Sequence, residues 1–283
     1  MCLIAFALDA DPVCPLLIAA NRDEFFDRPT AALHRWTLPG GTGVVAGRDL
    51  RDGGTWLGVS ESGRVAMLTN VRSAQPGPGT RSRGELATRW LQGSLAWDEL
   101  QSGIDPAAYG GFNLVVGDAR QGGWAWLSNR HPERPHDDTA VALHQRALLP
   151  GIYGLSNAAL DTPWPKTQRL KQAVNRSLAH MRAGAGSWLQ PLTDALADEA
   201  PAVASEEQPC TGVPADVERA LSSPFVKMAE RGYGTRSSLV LRVCAGDSSR
   251  QVELHEWTHA PSPSARGGHM WNPDGRVSHH LRW

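Results

Sequence analysis

The chain opens Met1-Cys2-Leu3-Ile4-Ala5-Phe6-Ala7-Leu8 and breaks at Asp9-Ala10-Asp11-Pro12. It resumes as Pro15-Leu16-Leu17-Ile18-Ala19-Ala20 and turns polar at Asn21-Arg22-Asp23-Glu24. Two short apolar runs around a turn signal predict two strands, Leu3–Leu8 and Pro15–Ala20, with the second ending at Asn21. The four polar residues that follow either project into a site at the strand's end or form a solvated turn capped by Asp23 or Glu24. Cys2 also has two readings. With Met1 removed it carries a thiol nucleophile and a free α-amine that acts as its base, so no separate histidine is needed. That amine titrates at about 7.7–8.0 when unperturbed, and an Arg22 folded back beside the thiol would favour the thiolate. Otherwise Cys2 is a small buried hydrophobe at the head of a strand.

A length of 283 residues, 41% hydrophobic and 20% charged, is that of a globular chain with a sizeable core. The net charge of -1, without a basic block, gives no pull toward nucleic acid or an anionic membrane. The 11 Trp against 3 Tyr and 5 Phe suit a layered core or an apolar pocket. The apolar runs are too short to span a membrane, and Asp9 and Asp11 interrupt any signal-peptide pattern. Cys2, Cys14, Cys210 and Cys244 are widely spaced without CxxC, which indicates neither a zinc site nor a disulfide framework. A cytoplasmic location is expected.

Gly53-Gly54-Thr55-Trp56-Leu57-Gly58-Val59 reads as paired glycines that need unusual φ or close approach, followed by a strand. A hairpin follows through Val65–Val71, with Asn70 near its exit, and residues 73–80 are a loop. Leu86, Ala87, Trp90 and Leu91 predict an amphipathic helix over Arg83–Gln92, with a second through Leu95–Leu100. Further strands are predicted at Gly111–Asp118, Gly123–Leu127, Ala140–His144 and Ile152–Ser156. The longest helix starts at Thr162-Pro163-Trp164-Pro165, with Thr162 as N-cap, and a helical piece follows at Pro191–Ala197. Pro201–Pro214 is an irregular connector. Thr235–Val243 and Gln251–Trp257 form a last hairpin around Gly246-Asp247. Helices set between groups of hairpins predict an α+β fold of helices layered on stacked antiparallel sheets. One domain over residues 2–260 is expected, with an irregular tail at 261–283.

Six ordered motifs carry a family resemblance: Asn21-Arg22-Asp23-Glu24-Phe25-Phe26-Asp27-Arg28-Pro29, Gly53-Gly54-Thr55-Trp56-Leu57-Gly58, Leu68-Thr69-Asn70-Val71-Arg72, Gly111-Phe112-Asn113-Leu114, Gly154-Leu155-Ser156-Asn157-Ala158 and Tyr233-Gly234-Thr235-Arg236-Ser237-Ser238. Together they resemble the NRDE family, also called the transport and Golgi organisation family, from Cys2 to about Trp257. That family is similar to N-terminal nucleophile hydrolases, which implies a four-layer αββα sandwich. The pattern of the bile-salt and penicillin V acylases is the nearest within that superfamily. It implies Cys2 as nucleophile, Arg22 as its electrostatic partner and Asp23 as the group orienting the α-amine. Asn157 with Asn70 would supply oxyanion donors, and Arg236 is a candidate second positive charge. Asn21, Glu24, Trp56 and Asn113 are candidate ligand-binding residues. In those acylases two residues separate the Arg from the Asp, whereas here Arg22 and Asp23 adjoin. They would point to opposite sides of a continuing strand unless a bulge or turn at Asn21–Glu24 re-aims them.

The resemblance implies two functions. One is an amidohydrolase cleaving a linear C–N amide bond in a small molecule, with no metal or cofactor. The other is a carrier of haem or another hydrophobic ligand, with Cys14-Pro15 and His255, His259, His269, His279 and His280 as sparse ligation candidates and no CxxCH. A catalytically inert interaction module on the same fold is the third reading.

Overall fold

The computed structural model describes residues 2–74, 77, 79–139, 141–202, 209–246, 249–259 and 271–283. In chain order its elements are β1 (Cys2–Leu8), β2 (Leu16–Phe25), β3 (Thr30–Thr37), β4 (Gly43–Asp49), β5 (Leu57–Ser60), β6 (Arg64–Asn70), α1 (Gly84–Leu91), α2 (Trp97–Ser102), β7 (Phe112–Asp118), β8 (Trp124–Ser128), β9 (His144–Leu148) and β10 (Gly151–Leu155). There follow α3 (Pro165–Ala183), α4 (Gln190–Leu196), α5 (Ala215–Leu221), β11 (Lys227–Met228), β12 (Tyr233–Ala245), β13 (Arg250–Thr258) and β14 (Arg276–Arg282).

The described chain divides into two compact units, Met1–Arg28 with Pro150–Ser156 and Asp161–Arg282, and Pro29–Leu149 with Asn157–Leu160 and Trp283. They interleave along the sequence, so no linker composition marks a boundary between them. The first unit holds an antiparallel sheet in the order β10-β1-β2-β12-β13-β14, with β11 paired to β12. Its strand β1 is apolar throughout because both faces are buried. On one face Leu3, Ala5, Ala7, Leu17, Ala19 and Val240 pack against Leu170, Ala173, Val174 and Leu178 of α3 and Leu192 and Leu196 of α4. The second unit holds the antiparallel sheet β3-β4-β5-β6-β7-β8-β9. There Leu86, Trp90 and Leu91 of α1 and Leu100 of α2 close over Ala66, Leu68, Leu114 and Val116. The fold class is α+β, with antiparallel sheets flanked by helices.

The helices come close to their expected ranges, because three- and four-residue apolar spacing fixes which face is buried. Helix α3 begins after Trp164, with Pro165 in its first turn, instead of being capped by Thr162. Gly53 and Gly54 meet both glycine expectations. Gly53 has φ +80, and a Cβ on Gly54 would lie 2.5 Å from the Gly84 carbonyl carbon at the start of α1.

Several features differ from the sequence reading. Strand β2 does not end at Ala20 but runs to Phe25. It lies between β1 and β12, so its backbone bonds on both edges and its polar side chains find buried partners. Strands β3 and β4 and helix α5 were not expected. Strand β3 is a partly exposed edge and β4 carries Gly43 and Gly47, which blurs the two-residue alternation. Part of the tail is ordered, because β14 pairs with β13 through Gln251↔Arg282 to Trp257↔Arg276. Only Leu281 of β14 is buried, so no apolar pattern announced a strand. The strand expected over Ala140–His144 instead begins at His144 and runs to Leu148, since residues 141–143 carry no strand and β9 is placed by pairing with β8. Parts of the expected 73–80 loop, Ala140, parts of the 201–214 connector and of the Gly246-Asp247 turn, and part of the tail before Trp271 lie outside the described residues.

Candidate functional site

The first unit places Cys2 at the head of β1, directly opposite Arg22 on β2. Opposed residues of an antiparallel pair project from one face of the sheet, so thiol and guanidinium share a face. Asn21 and Asp23 lie on the other face. Strand β2 is regular here, and the irregularity lies in its neighbour β12, where the register shifts between Thr235 and Ser237 and leaves Arg236 as the bulged residue. The bulge or turn at Asn21–Glu24 needed to aim both Arg22 and Asp23 from one face is absent. Arg22 serves the thiol's side, and Asp23 is buried with Oδ1 accepting from Thr235 Oγ1 at 2.7 Å.

Arg22 is 7% exposed, its Nη2 lies 3.6 Å from Glu24 Oε2, and its buried Nη1 has no hydrogen-bond partner among the described residues. Glu24 also lies 3.9 Å from Arg28 Nε. Burial raises the Glu24 carboxyl, but the amino-terminal charge, the Phe25 N–H, Arg22 and Arg28 outweigh it and hold its pKa below the ordinary value. Arg236 Nη1 donates to the Phe25 and Arg28 carbonyls at 3.1 and 2.5 Å. Burial, then the neighbouring Arg22 charge, lowers its pKa. Asn21 is fully buried, donating from Nδ2 to Leu196 O and Pro224 O at 2.8 and 2.9 Å and accepting from Ser238 Oγ at 2.5 Å. These bonds make it a brace between β2, α4 and β12. Ser156 Oγ donates to the Cys2 carbonyl at 3.1 Å and fixes the end of β1 against β10.

Burial pushes the Cys2 thiol up to about 11 in the chain that retains Met1. The amino-terminal charge and Arg22 pull it down, while Asp23 and Glu24 push it up. At neutral pH this thiol is protonated, so attack requires a base.

The second unit holds Asn70 at the end of β6 and Asn157 just after β10. Asn157 Nδ2 donates to Asn70 O at 3.1 Å and to Asn70 Oδ1 at 3.0 Å. Arg72 N–H donates to Asn157 O at 2.8 Å, and Arg72 Nη2 reaches Asn157 Oδ1 at 3.5 Å. Asn113 is wholly buried: Nδ2 donates to Ala158 O at 2.7 Å and Thr69 Oγ1 at 3.2 Å, and Oδ1 accepts from Trp126 Nε1 at 3.1 Å. It therefore ties the residue after Asn157 to β6–β8. Trp56 is buried at 8% exposure. Arg72, Ser156, Thr235 and Ser238 were not singled out from the sequence, although each stands inside one of its six motifs.

Cys14 is fully buried, with its Sγ donating to Leu16 O at 3.4 Å, and burial pushes its thiol up to about 12. His255 and His259 are buried, and His269 lies outside the described residues. Among the described residues, no group of three or more His, Cys, Asp or Glu side chains is placed to hold a metal ion, and no helix is long and apolar enough to cross a membrane.

An α+β chain with a cysteine at the head of a central strand and an arginine opposite it is the class of protein the geometry defines. The family model described as transport and Golgi organisation 2 matches residues 1–261, and the chain belongs to that family. It is 34% identical over 270 residues to the Bos taurus transport and Golgi organization protein 2 homolog, covering 87% of this chain and 89% of the relative. It is 28% identical over 279 residues to the Drosophila melanogaster transport and Golgi organization protein 2, covering 91% and 92%. Among solved structures it is similar to the Caenorhabditis elegans N-acylethanolamine-hydrolyzing acid amidase ortholog, with TM-score 0.46, 11% identity and coverage of 85% and 92%. It is also similar to the C2A mutant of conjugated bile acid hydrolase from Clostridium perfringens, with TM-score 0.42, 10% identity and coverage of 100% and 97%.

Proposed function

We propose that the protein is an N-terminal-cysteine amidohydrolase that cleaves a linear C–N amide bond of a small molecule. The observation that carries this reading is the pairing of Cys2 with the buried Arg22, whose Nη1 has no partner among the described residues. Removal of Met1 converts the Cys2 nitrogen into an amine with a proton affinity suited to neutral pH. The amine takes the thiol proton as Sγ bonds to the amide carbonyl carbon. The tetrahedral intermediate collapses by breaking the C–N bond, and the ammonium returns its proton to the leaving nitrogen. The resulting thioester is hydrolysed by a water that gives its proton to the same amine, and the thiol is restored. Arg22 stabilises the thiolate on its own face of the sheet, and Asp23, on the other, orients the amine. A reducing compartment such as the cytoplasm keeps this thiol free.

The test is single-turnover kinetics with a series of N-acyl p-nitroanilides. A burst of p-nitroaniline stoichiometric with protein, an acyl adduct on Cys2, and loss of both in Cys2→Ala are expected. Processed protein that forms no acyl adduct with any member of the series would contradict the reading.

A further inference from the structure

We infer that Cys14 and Cys244 form a dithiol that closes to a cross-strand disulfide when the chain meets a soluble disulfide such as glutathione disulfide. Both cysteines lie in the first unit, at the end of β1 and β2 remote from Cys2, where Leu8 pairs with Leu16. The backbone brings them together. Val243 of β12 pairs with Leu16, and two residues on Ala245 N–H donates to Val13 O at 3.0 Å. Between these two links Cys244 faces Cys14 and Pro15. Opposed residues of antiparallel strands have Cα atoms about 4.5–5.5 Å apart, inside the range of about 4.4–6.8 Å that a disulfide spans. Side chains alternate along β12, so Cys244 shares a face with Val240 and Arg242. Val240 belongs to the apolar cluster beneath α3 and α4, and so does Cys14. The Pro15 carbonyl accepts from Asp9 N–H at 2.7 Å on the β1 side. Carbonyls alternate in direction, so that of Leu16 is turned toward β12, and this is the oxygen that Cys14 Sγ meets at 3.4 Å. Cys14 thus leans toward the strand that carries Cys244.

The surroundings of the two thiols differ and set the order of reaction. Cys14 is wholly buried, whereas Cys244 is half-buried beside Arg242. A cavity of about 400 Å³ reaches Pro15 and Ala245, the chain neighbours of the two cysteines. Burial raises both thiols, the Cys244 sulfur raises that of Cys14 further, and Arg242 opposes the rise in each. Cys244 is therefore the thiol that a soluble disulfide reaches. Its thiolate bonds to one sulfur of glutathione disulfide, the S–S bond breaks, and one glutathione leaves as a thiolate that takes up a proton. Cys14 Sγ, giving its proton to solvent, then bonds to the Cys244 sulfur and expels the second glutathione in the same way. The chain's dithiol is oxidised by two electrons, and one glutathione disulfide is reduced to two glutathiones. The link ties the entry of β2 to the end of β12, the two strands that carry Arg22 and Arg236. It stands apart from the chemistry of Cys2, so its failure leaves the amide-hydrolysis reading intact.

The test equilibrates the folded, full-length chain in glutathione buffers of stepped oxidised-to-reduced ratio, then quenches with acid, caps free thiols with N-ethylmaleimide and maps the peptides. Burial slows thiol exchange, so each sample is held until successive time points agree. The exposed Cys210 takes up glutathione and reports that a buffer is oxidising. The expected result is a peptide pair linked through Cys14 and Cys244 that grows with the ratio, becomes the major form of both residues in the most oxidising buffer and disappears on adding dithiothreitol. Cys14→Ala is expected to abolish the link and leave glutathione on Cys244, the intermediate that no second thiol resolves. The wild-type map decides the outcome even where Cys14→Ala folds poorly. Cys14 and Cys244 both capped by N-ethylmaleimide in a buffer that modifies Cys210 would overturn the pairing. So would glutathione held on Cys244 of the wild-type chain with Cys14 still free.

Discussion

Cys2 and Arg22 occupy opposed positions across the β1–β2 ladder, and the thiol and guanidinium therefore share one face of the sheet. Asp23, one residue on, is turned to the other face and held by Thr235. Adjacent Arg and Asp thus lie on opposite faces without a bulge in β2. The distortion that the neighbourhood contains lies in β12 and presents Arg236.

Burial and the about 11 pKa of Cys2 set its reactivity in a chain that retains Met1. Its alkylation by iodoacetamide is expected to be slower at pH 7.5 than that of the exposed Cys210 and to rise steeply above pH 9. Peptide mapping of alkylation against pH measures this. A Cys2 labelled as fast as Cys210 in Met1-bearing protein would show that the thiol is not desolvated.

Replacing Arg22 by Met is expected to separate stability from reactivity. The guanidinium is buried with Nη1 unsatisfied among the described residues, and Glu24 keeps Arg28 as a partner. Unfolding free energy is therefore expected to change by no more than about 1 kcal/mol. Cys2 alkylation at neutral pH is expected to slow, because the charge that favours the thiolate is gone. Urea unfolding beside alkylation kinetics checks both, and a large loss of stability with unchanged alkylation would reverse the assignment.

Asn21→Ala removes the amide that links Leu196 O, Pro224 O and Ser238 Oγ in a fully buried setting. Each acceptor or donor left unsatisfied costs about 1–3 kcal/mol, so a loss of about 3 kcal/mol or more is expected. Denaturant midpoints measure it. A loss below about 1 kcal/mol would mean that water replaces the amide and that Asn21 is not a brace.

His255 carries a pKa lowered to about 4, first by burial and then by Arg276, against the opposing pull of Glu253. The folded state binds its proton more weakly than the unfolded chain does. The stability contributed by neutral His255 is present above the unfolded-state value of about 6.5 and lost as pH falls toward 4. The melting temperature is expected to drop less between pH 7 and pH 4.5 in His255→Gln than in wild type. Equal drops would show that His255 does not carry the acid sensitivity.

Much of the architecture was legible because burial leaves periodic traces. The all-apolar β1, the Leu86–Trp90–Leu91 stripe and the Leu170–Val174–Leu178 stripe each announce an element and its buried face. The Gly53-Gly54 pair announced a tight backbone and delivered one. What stayed hidden is where tertiary partners override local pattern. Asn21-Arg22-Asp23-Glu24 looks like a strand terminus, yet β12 supplies Thr235 and Ser238 to its polar side chains and the strand continues. Strand β14 is nearly all exposed and has no apolar rhythm to read. Among the candidate residues, Cys2, Arg22 and Asn70 could be named from motifs. The buried partners of Asn21 and Asp23, Ser238 and Thr235, could not, because they depend on the pairing of β2 with β12.

The most direct test of an N-terminal cysteine nucleophile is the intact mass of the untagged protein before and after one equivalent of a cysteine-reactive electrophile, with the modified residue mapped. A chain lacking Met1 and labelled fastest at Cys2, ahead of Cys14, Cys210 and Cys244, is the expected result. A chain that retains Met1, or a Cys2 no faster than the other three, would contradict the account.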